Sequence, residues 1–250
     1  MRLLMHGIGV QSRTWHVCEK NVISYSRVYY ILSGDVTYRD CEAERKLSPG
    51  KMYVFPTNTS YVIEHDPDHP IECLWFHFDL FPYSVCQLLE FDPLLPEQKS
   101  LCGILEALRY EFSEKREKEQ ICFLLEEALE LLICRDPNIR RPDPKLIEIL
   151  EYIRENLCSP QLSVVELSKR FNYSSAHFIR WFRAKMGITP YCYILGLRLS
   201  VATISLTAGK TVSEVAAECG YDDVKTFSRA FKKNYGVSPS LYSSFYHPQV

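Results

Sequence analysis

Two stretches of this chain carry basic side chains at matching places. Leu167–Pro190 reads LSKRFNYSSAHFIRWFRAKMGITP, and Val215–Pro239 reads VAAECGYDDVKTFSRAFKKNYGVSP. Tyr173 aligns with Tyr221 at an offset of 48, and Phe182 with Phe231 at an offset of 49, so the second copy has one extra residue just after its turn. Phe178/Phe227, Arg180/Arg229, Arg183/Lys232, Gly187/Gly236 and Pro190/Pro239 all correspond. Arg and Lys bond guanine edges or phosphate oxygens, Ser bonds either, and small apolar side chains touch thymine methyl groups. The side chains off the apolar stripes are Ser175, Ala176, Ile179, Arg180 and Arg183 in one copy. In the other they are Val224, Lys225, Ser228, Arg229 and Lys232. This arrangement supports DNA contact and contains no catalytic set. The competing assignments are a solvated basic face and, for Arg180 and Arg229, pairing with an acid inside each copy.

The elements that must hold these side chains follow from local signals. Ser163–Glu166 and Thr211–Glu214 both fit the capping box, in which a hydroxyl and a Glu satisfy free backbone N–H groups reciprocally. A short apolar-periodic helix follows each. A break comes at Asn172 and at Gly220, residue types that tolerate left-handed backbone. A second helix then buries Phe178, Trp181 and Phe182, or Phe227, Ala230 and Phe231, and stops at Gly followed by Pro. Two short helices joined by a tight turn make a helix-turn-helix, whose second helix enters the major groove.

The double module, the Gly-x-x-Pro ends and the segment GYDDVKTFSRAFKKNYGVSPSLY (Gly220–Tyr242) resemble the AraC/XylS family of bacterial transcription regulators. The resemblance covers Pro144 to about Tyr246. It implies that both units of one monomer bind one face of a DNA duplex. Tyr191–Leu206 reads as a connecting helix of roughly 24 Å at ~1.5 Å per residue. Such a connector suits recognition helices about one turn of DNA apart.

The 250-residue chain has a net charge of −2, which hides an asymmetry. Residues from Pro144 onward sum to +5 and those before it to −7. The repeat lies in the basic part, which supplies the non-specific electrostatic component of DNA binding. Ten cysteines show no C-x-x-C spacing and read as small buried residues of a reducing, cytoplasmic protein. There is no signal-peptide stretch and no membrane-length apolar run.

From Arg27 to Phe81 the pattern is of short strands: Val28–Leu32, Val36–Arg39, Met52–Pro56, Tyr61–Ile63 and Ile71–Phe78, with turns at Ser33-Gly34-Asp35 and Ser48-Pro49-Gly50. The order resembles the cupin barrel found at the N-terminus of many AraC-type regulators, as does Trp75–Asp79. Residues 1 to about 20 read as irregular, forming either the arm over a ligand pocket that the resemblance implies or a first strand. Cupin enzymes use two closely spaced His, a Glu and a later His. Here Tyr38 and Tyr61 stand where such His would fall, His65 and His69 sit in an apparent loop, and His77 is alone on a strand. No metal and no cofactor are therefore expected. Tyr30, Tyr38, Trp75 and His77 are candidates to line a pocket for a small molecule, a carbohydrate being one option; barrel core is the other reading of each.

Pro96–Cys134 reads as two helices, with Leu101, Leu105 and Leu108 on one and Ile121, Leu125, Ala128, Leu129 and Leu132 on the other. They either dimerise, as in the resembling family, or pack back on the barrel. The Pro-rich stretch 136–143 reads as a linker. The expected organisation is a cupin-like β-barrel over 1–95, a helical pair over 96–135, the linker, and an all-α double helix-turn-helix domain over 144–250. The expected function is a non-enzymatic, sequence-specific regulator responding to a small-molecule effector. Its partners would be double-stranded DNA, a second copy of the chain and, for an activator, RNA polymerase, with no membrane. The alternatives are a constitutive dimeric regulator without effector and a cupin enzyme with an appended DNA-binding module.

Overall fold

The computed structural model describes residues 2–19, 23, 25–57, 59–83, 85–114, 119–136, 139 and 143–246. Most of the linker and most of the charged turn Glu114–Gln120 lie outside them. Contacts divide the chain into two compact units, one holding the strands and the first two helices, the other the remaining helices.

Among the described residues the first unit contains nine strands: β1 (Arg2–Val10), β2 (His16–Glu19), β3 (Ser26–Ser33), β4 (Val36–Arg39), β5 (Glu44–Leu47), β6 (Met52–Val54), β7 (Tyr61–His65), β8 (Glu72–Asp79) and β9 (Leu89–Phe91). They form two antiparallel sheets, ordered β1-β8-β3-β6-β9 and β2-β7-β4-β5. The ladder is thus two separate sheets and not the closed barrel expected. Residues 2–10 and 16–19 are strands, which matches the first-strand alternative and not the irregular arm. β1 pairs with β8 along its length, and β2 pairs with β7. Its Gly7 and Gly9 weaken strand propensity, but Gly7 is needed: a Cβ there would lie 2.6 Å from the Trp75 ring.

Strand parity sorts the apolar residues into two layers. Val28, Met52, Val54, Leu74, Phe76 and Phe78 face the helices α1 (Lys99–Glu114) and α2 (Glu119–Arg135). From those helices come Leu101, Leu105, Leu108, Leu125, Leu129 and Ile133, all fully buried. The helical stripes therefore pack back on the sheet. Between the sheets lie Tyr29, Ile31, Tyr38, Tyr53, Phe55, Tyr61, Ile63 and Ile71.

The second unit contains α3 (Pro144–Glu155), α4 (Val164–Arg170), α5 (Ser175–Met186), α6 (Pro190–Thr207), α7 (Val212–Glu218), α8 (Val224–Tyr235) and α9 (Pro239–Tyr246). Thr211 and Glu214 complete the capping box of α7. Ser163 caps α4, accepting from the Glu166 N–H, but the Glu166 carboxylate accepts from the Tyr152 hydroxyl at 2.8 Å and does not close the box. Asn172 and Gly220 both adopt the left-handed backbone, with φ of 59° and 72°. α6 is the hub, with eleven buried residues and a length of roughly 27 Å for 18 residues at ~1.5 Å rise. No single helix among the described residues is long and apolar enough to cross a membrane.

Candidate nucleic-acid interface

Each reading helix is seated by its apolar face. Phe178 and Phe182 of α5 are fully buried; their rings lie 5.9 Å apart, and Phe182 meets Tyr193 of α6 at 5.7 Å. Phe227 and Phe231 of α8 repeat the pattern at 5.7 Å, and Tyr221 packs on Phe227 at 5.5 Å. Both helices begin at a capping side chain, Ser174 accepting from the His177 N–H and Asp223 from the Thr226 N–H. Both end at a left-handed glycine, Gly187 and Gly236. The Asp223 carboxyl is held below its ordinary range by the Thr226 hydroxyl and backbone N–H.

The opposite faces are open. Ala176, Ile179, Arg180 and Arg183 of α5 are exposed, as are Val224, Lys225, Arg229 and Lys232 of α8. Ser175 and Ser228 are half-buried. Ser175 is placed differently from the expectation of a free donor: its hydroxyl lies 2.9 Å from that of Ser168 on α4, so it closes the turn between the helices. Trp181 and Ala230 are half-buried rather than fully buried. Lys233, a residue suited to phosphate contact, and His177, which the sequence does not single out, are exposed on the same helices. Lys185 is exposed too, but it is tied to Asp143, the cap of α3, at 2.8 Å. The Asp143 carboxyl is held low first by that lysine.

The four expected pocket residues do not come together. Tyr30 is on the helix-facing side of β3 and packs with the α1–α2 layer, because adjacent residues of a strand point to opposite faces. Its neighbour Tyr29 faces the other sheet. Tyr38 is fully buried among Phe55 and Tyr61, at 5.9 and 5.6 Å. Trp75 and His77 are half-buried neighbours, and His77 stacks on Tyr25 at 4.4 Å. Burial, and then the Arg27 charge, push the His77 pKa down to about 3, so its ring is neutral.

Two features between the sheets, and one in an exposed loop, lie outside the expected pocket set. Arg27 of β3 pairs with Glu19 of β2 at 2.5 Å, both side chains nearly buried, and also reaches the hydroxyls of Tyr61 and Tyr25 at 3.3 Å. His65, expected in a loop, is the last residue of β7 and is buried. Its Nδ1 accepts from the Ile71 N–H at 3.1 Å, which leaves the ring proton on Nε2. Nε2 finds no partner among the described residues. The half-buried Trp15 lies over it, ring to ring at 5.4 Å. Separately, Asp35, Asp66 and His69 meet in an exposed loop cluster, His69 Nδ1 standing 3.4 Å from Asp35.

Two matched helix-turn-helix units on one hub helix define a DNA-binding transcription regulator. A helix-turn-helix domain model matches residues 167–244. The probable transcriptional regulator LumQ of Photobacterium leiognathi is 32% identical over 149 residues, 57% of this chain and 59% of its own. The arabinose operon regulatory protein of Salmonella typhimurium is 26% identical over 210 residues, 77% of this chain and 74% of its own. The chain belongs to the AraC family of transcription regulators. It spans about half to three-fifths of the length of the first curated relatives it matches. Solved structures of ToxT from Vibrio cholerae share the fold across 97% of both chains. The apo form has a TM-score of 0.70 at 12% identity, and a form bound to an unsaturated fatty acid 0.67 at 13%.

Proposed function

We propose that α5 and α8 both read DNA, and that the two-sheet unit, a cupin-like sandwich, senses a small molecule. The observation that carries the first part is the matched pair of exposed basic faces, Arg180/Arg183 and Arg229/Lys232, on helices locked from behind by matched phenylalanines. Ala176 and Ile179 beside Arg180 add apolar contacts suited to thymine methyl groups. Selection from a random DNA pool with the full chain tests this. The expected product is two half-motifs about one helical turn apart. A pool that shows no enrichment, with affinity that collapses as salt rises, refutes it.

The effector reading is supported by the His65 Nε2–H donor beneath the half-buried Trp15. A buried donor left without a partner costs about 1–3 kcal/mol, which a ligand oxygen would offset. A carbohydrate fits a donor beside an aromatic face, and an unsaturated fatty acid is favoured by the ToxT complex. Titration of the chain with sugars and with unsaturated fatty acids, read by tryptophan fluorescence and calorimetry, separates them. His65→Phe is expected to weaken the binder by about tenfold. Failure of every compound to bind favours a constitutive regulator, in which the sandwich only supports assembly. For that assembly we propose a homodimer through α2, where Phe123, Leu124 and Leu131 remain more than half exposed. The oligomeric mass of Leu124→Glu/Leu131→Glu against the wild type tests it. Contact with RNA polymerase would follow only for an activator.

A further inference from the structure

The two copies differ in the residue that makes the turn, and at that turn the second copy meets the chain leading into the first. The turn between α4 and α5 is made by Asn172, and the turn between α7 and α8 by Gly220. Both are left-handed, so backbone conformation alone does not explain why the second needs glycine. The surroundings do. A Cβ on Gly220 would lie 2.9 Å from Nη2 of Arg198 and 3.0 Å from the carbonyl oxygen of Cys158. The guanidinium tip would have to shift to admit it, and the backbone oxygen stands at a separation tighter than nine in ten Cβ contacts.

Arg198 sits in the middle of α6, the hub helix. Its Nε donates to the Leu157 carbonyl at 3.0 Å and its Nη2 to the Ser159 carbonyl at 2.7 Å. Those carbonyls belong to the connector between α3 and α4, just ahead of the first copy. The same guanidinium lies 5.8 Å from the Tyr221 ring, and the Arg198 carbonyl accepts from Cys219 Sγ at 3.1 Å. Cys219, Gly220 and Tyr221 are the turn of the second copy. One planar, permanently charged fork therefore bridges connector, hub and turn. A lysine cannot place two donors in that geometry.

We infer that Arg198 is a positioning residue that sets the distance and rotation between the two reading helices, and so the half-motif spacing the protein accepts. The assignment rests on both helices reading DNA. One added base pair moves a half-motif by about 3.4 Å and about 35° around the duplex. A rigid junction cannot follow that change, whereas a loosened one partly can. Neither α5 nor α8 is touched by Arg198 in the contacts above, so each half should still read its own bases without it.

The test uses the full chain and the operator selected by it. Binding is measured for the selected spacing, for one added base pair, and for each half with the other scrambled. Wild type is expected to lose about tenfold or more on the added pair. Arg198→Lys and Arg198→Met are expected to lose about fivefold on the selected spacing. They should keep single-half affinities within about twofold and show an added-pair penalty below about threefold. Arg198→Lys keeps the charge and serves should Arg198→Met fail to fold. A wild-type spacing penalty that survives in the variants overturns the role of Arg198. So does an equal loss on single halves and full operator, which would mark a general fold stabiliser. A wild-type chain indifferent to spacing overturns the double-reader mechanism itself, and this assignment with it.

Discussion

The salt dependence of DNA binding can be worked out from the exposed side chains. Arg183 on α5 and Lys225, Lys232 and Lys233 on α8 are exposed, while Lys185 is held by Asp143. With Arg180 and Arg229 assigned to bases, these are four phosphate-directed charges. Counterion release predicts a slope of about −0.9 per phosphate contact, hence about −3.6 in a plot of log affinity against log salt. Between 50 and 200 mM salt the affinity should fall by about 150-fold. Replacing Lys225, Lys232 and Lys233 together by Ala should leave a slope of about −0.9 and should weaken operator and unrelated DNA alike. The assay is fluorescence anisotropy of a labelled operator over a chloride series. A triple variant that keeps the wild-type slope would show that α8 does not lie against the backbone, and the docking of the second unit would have to be abandoned.

Three further outcomes are expected. Arg180→Ala and Arg229→Ala should each cost about 1–3 kcal/mol on the operator and relax sequence preference at one position only, as read by selection with each variant; equal loss on all sequences would assign the residue to phosphate. Gly220→Ala should lower stability by about 1–3 kcal/mol and more than Gly236→Ala, since both are left-handed but only Gly220 has atoms within 3.0 Å of a new Cβ. Urea unfolding of both variants decides, and equal losses would show that the close approach has no energetic weight. His77, with its folded pKa depressed to about 3, favours the folded state while neutral. That contribution is complete above the unfolded value of about 6.5 and shrinks as pH falls towards 3, by about 1 kcal/mol at pH 5.5. The urea midpoint should therefore drop between pH 7.5 and 5.5 in wild type and drop less in His77→Gln; an unchanged slope would place the acid sensitivity elsewhere.

The DNA-binding unit was legible because its signals are local. A helix cap lies within three or four residues of the N–H it satisfies, an apolar stripe repeats every turn, and a left-handed residue declares itself by type. Ser163, Thr211, Asn172, Gly220, Gly187 and Gly236, together with the buried phenylalanines of α5 and α8, could thus be assigned from the amino-acid order, and with them the exposed basic faces. Tertiary structure decided the rest. Ser175 and Glu166 carry the right chemistry for a DNA contact and a capping box, but Ser168 and Tyr152 took their polar groups. Consecutive tyrosines on β3 give no period, so only sheet packing sends Tyr29 between the sheets and Tyr30 towards α1 and α2. β1 with its two glycines looks irregular until β8, some seventy residues away, supplies its hydrogen bonds and the Trp75 ring that needs Gly7. Gly220 shows the division within one residue. Its left-handed turn could be read from its type, while its approach to Arg198 and Cys158 could not, because those atoms are brought to it only when α6 and the α3–α4 connector have folded against the second copy.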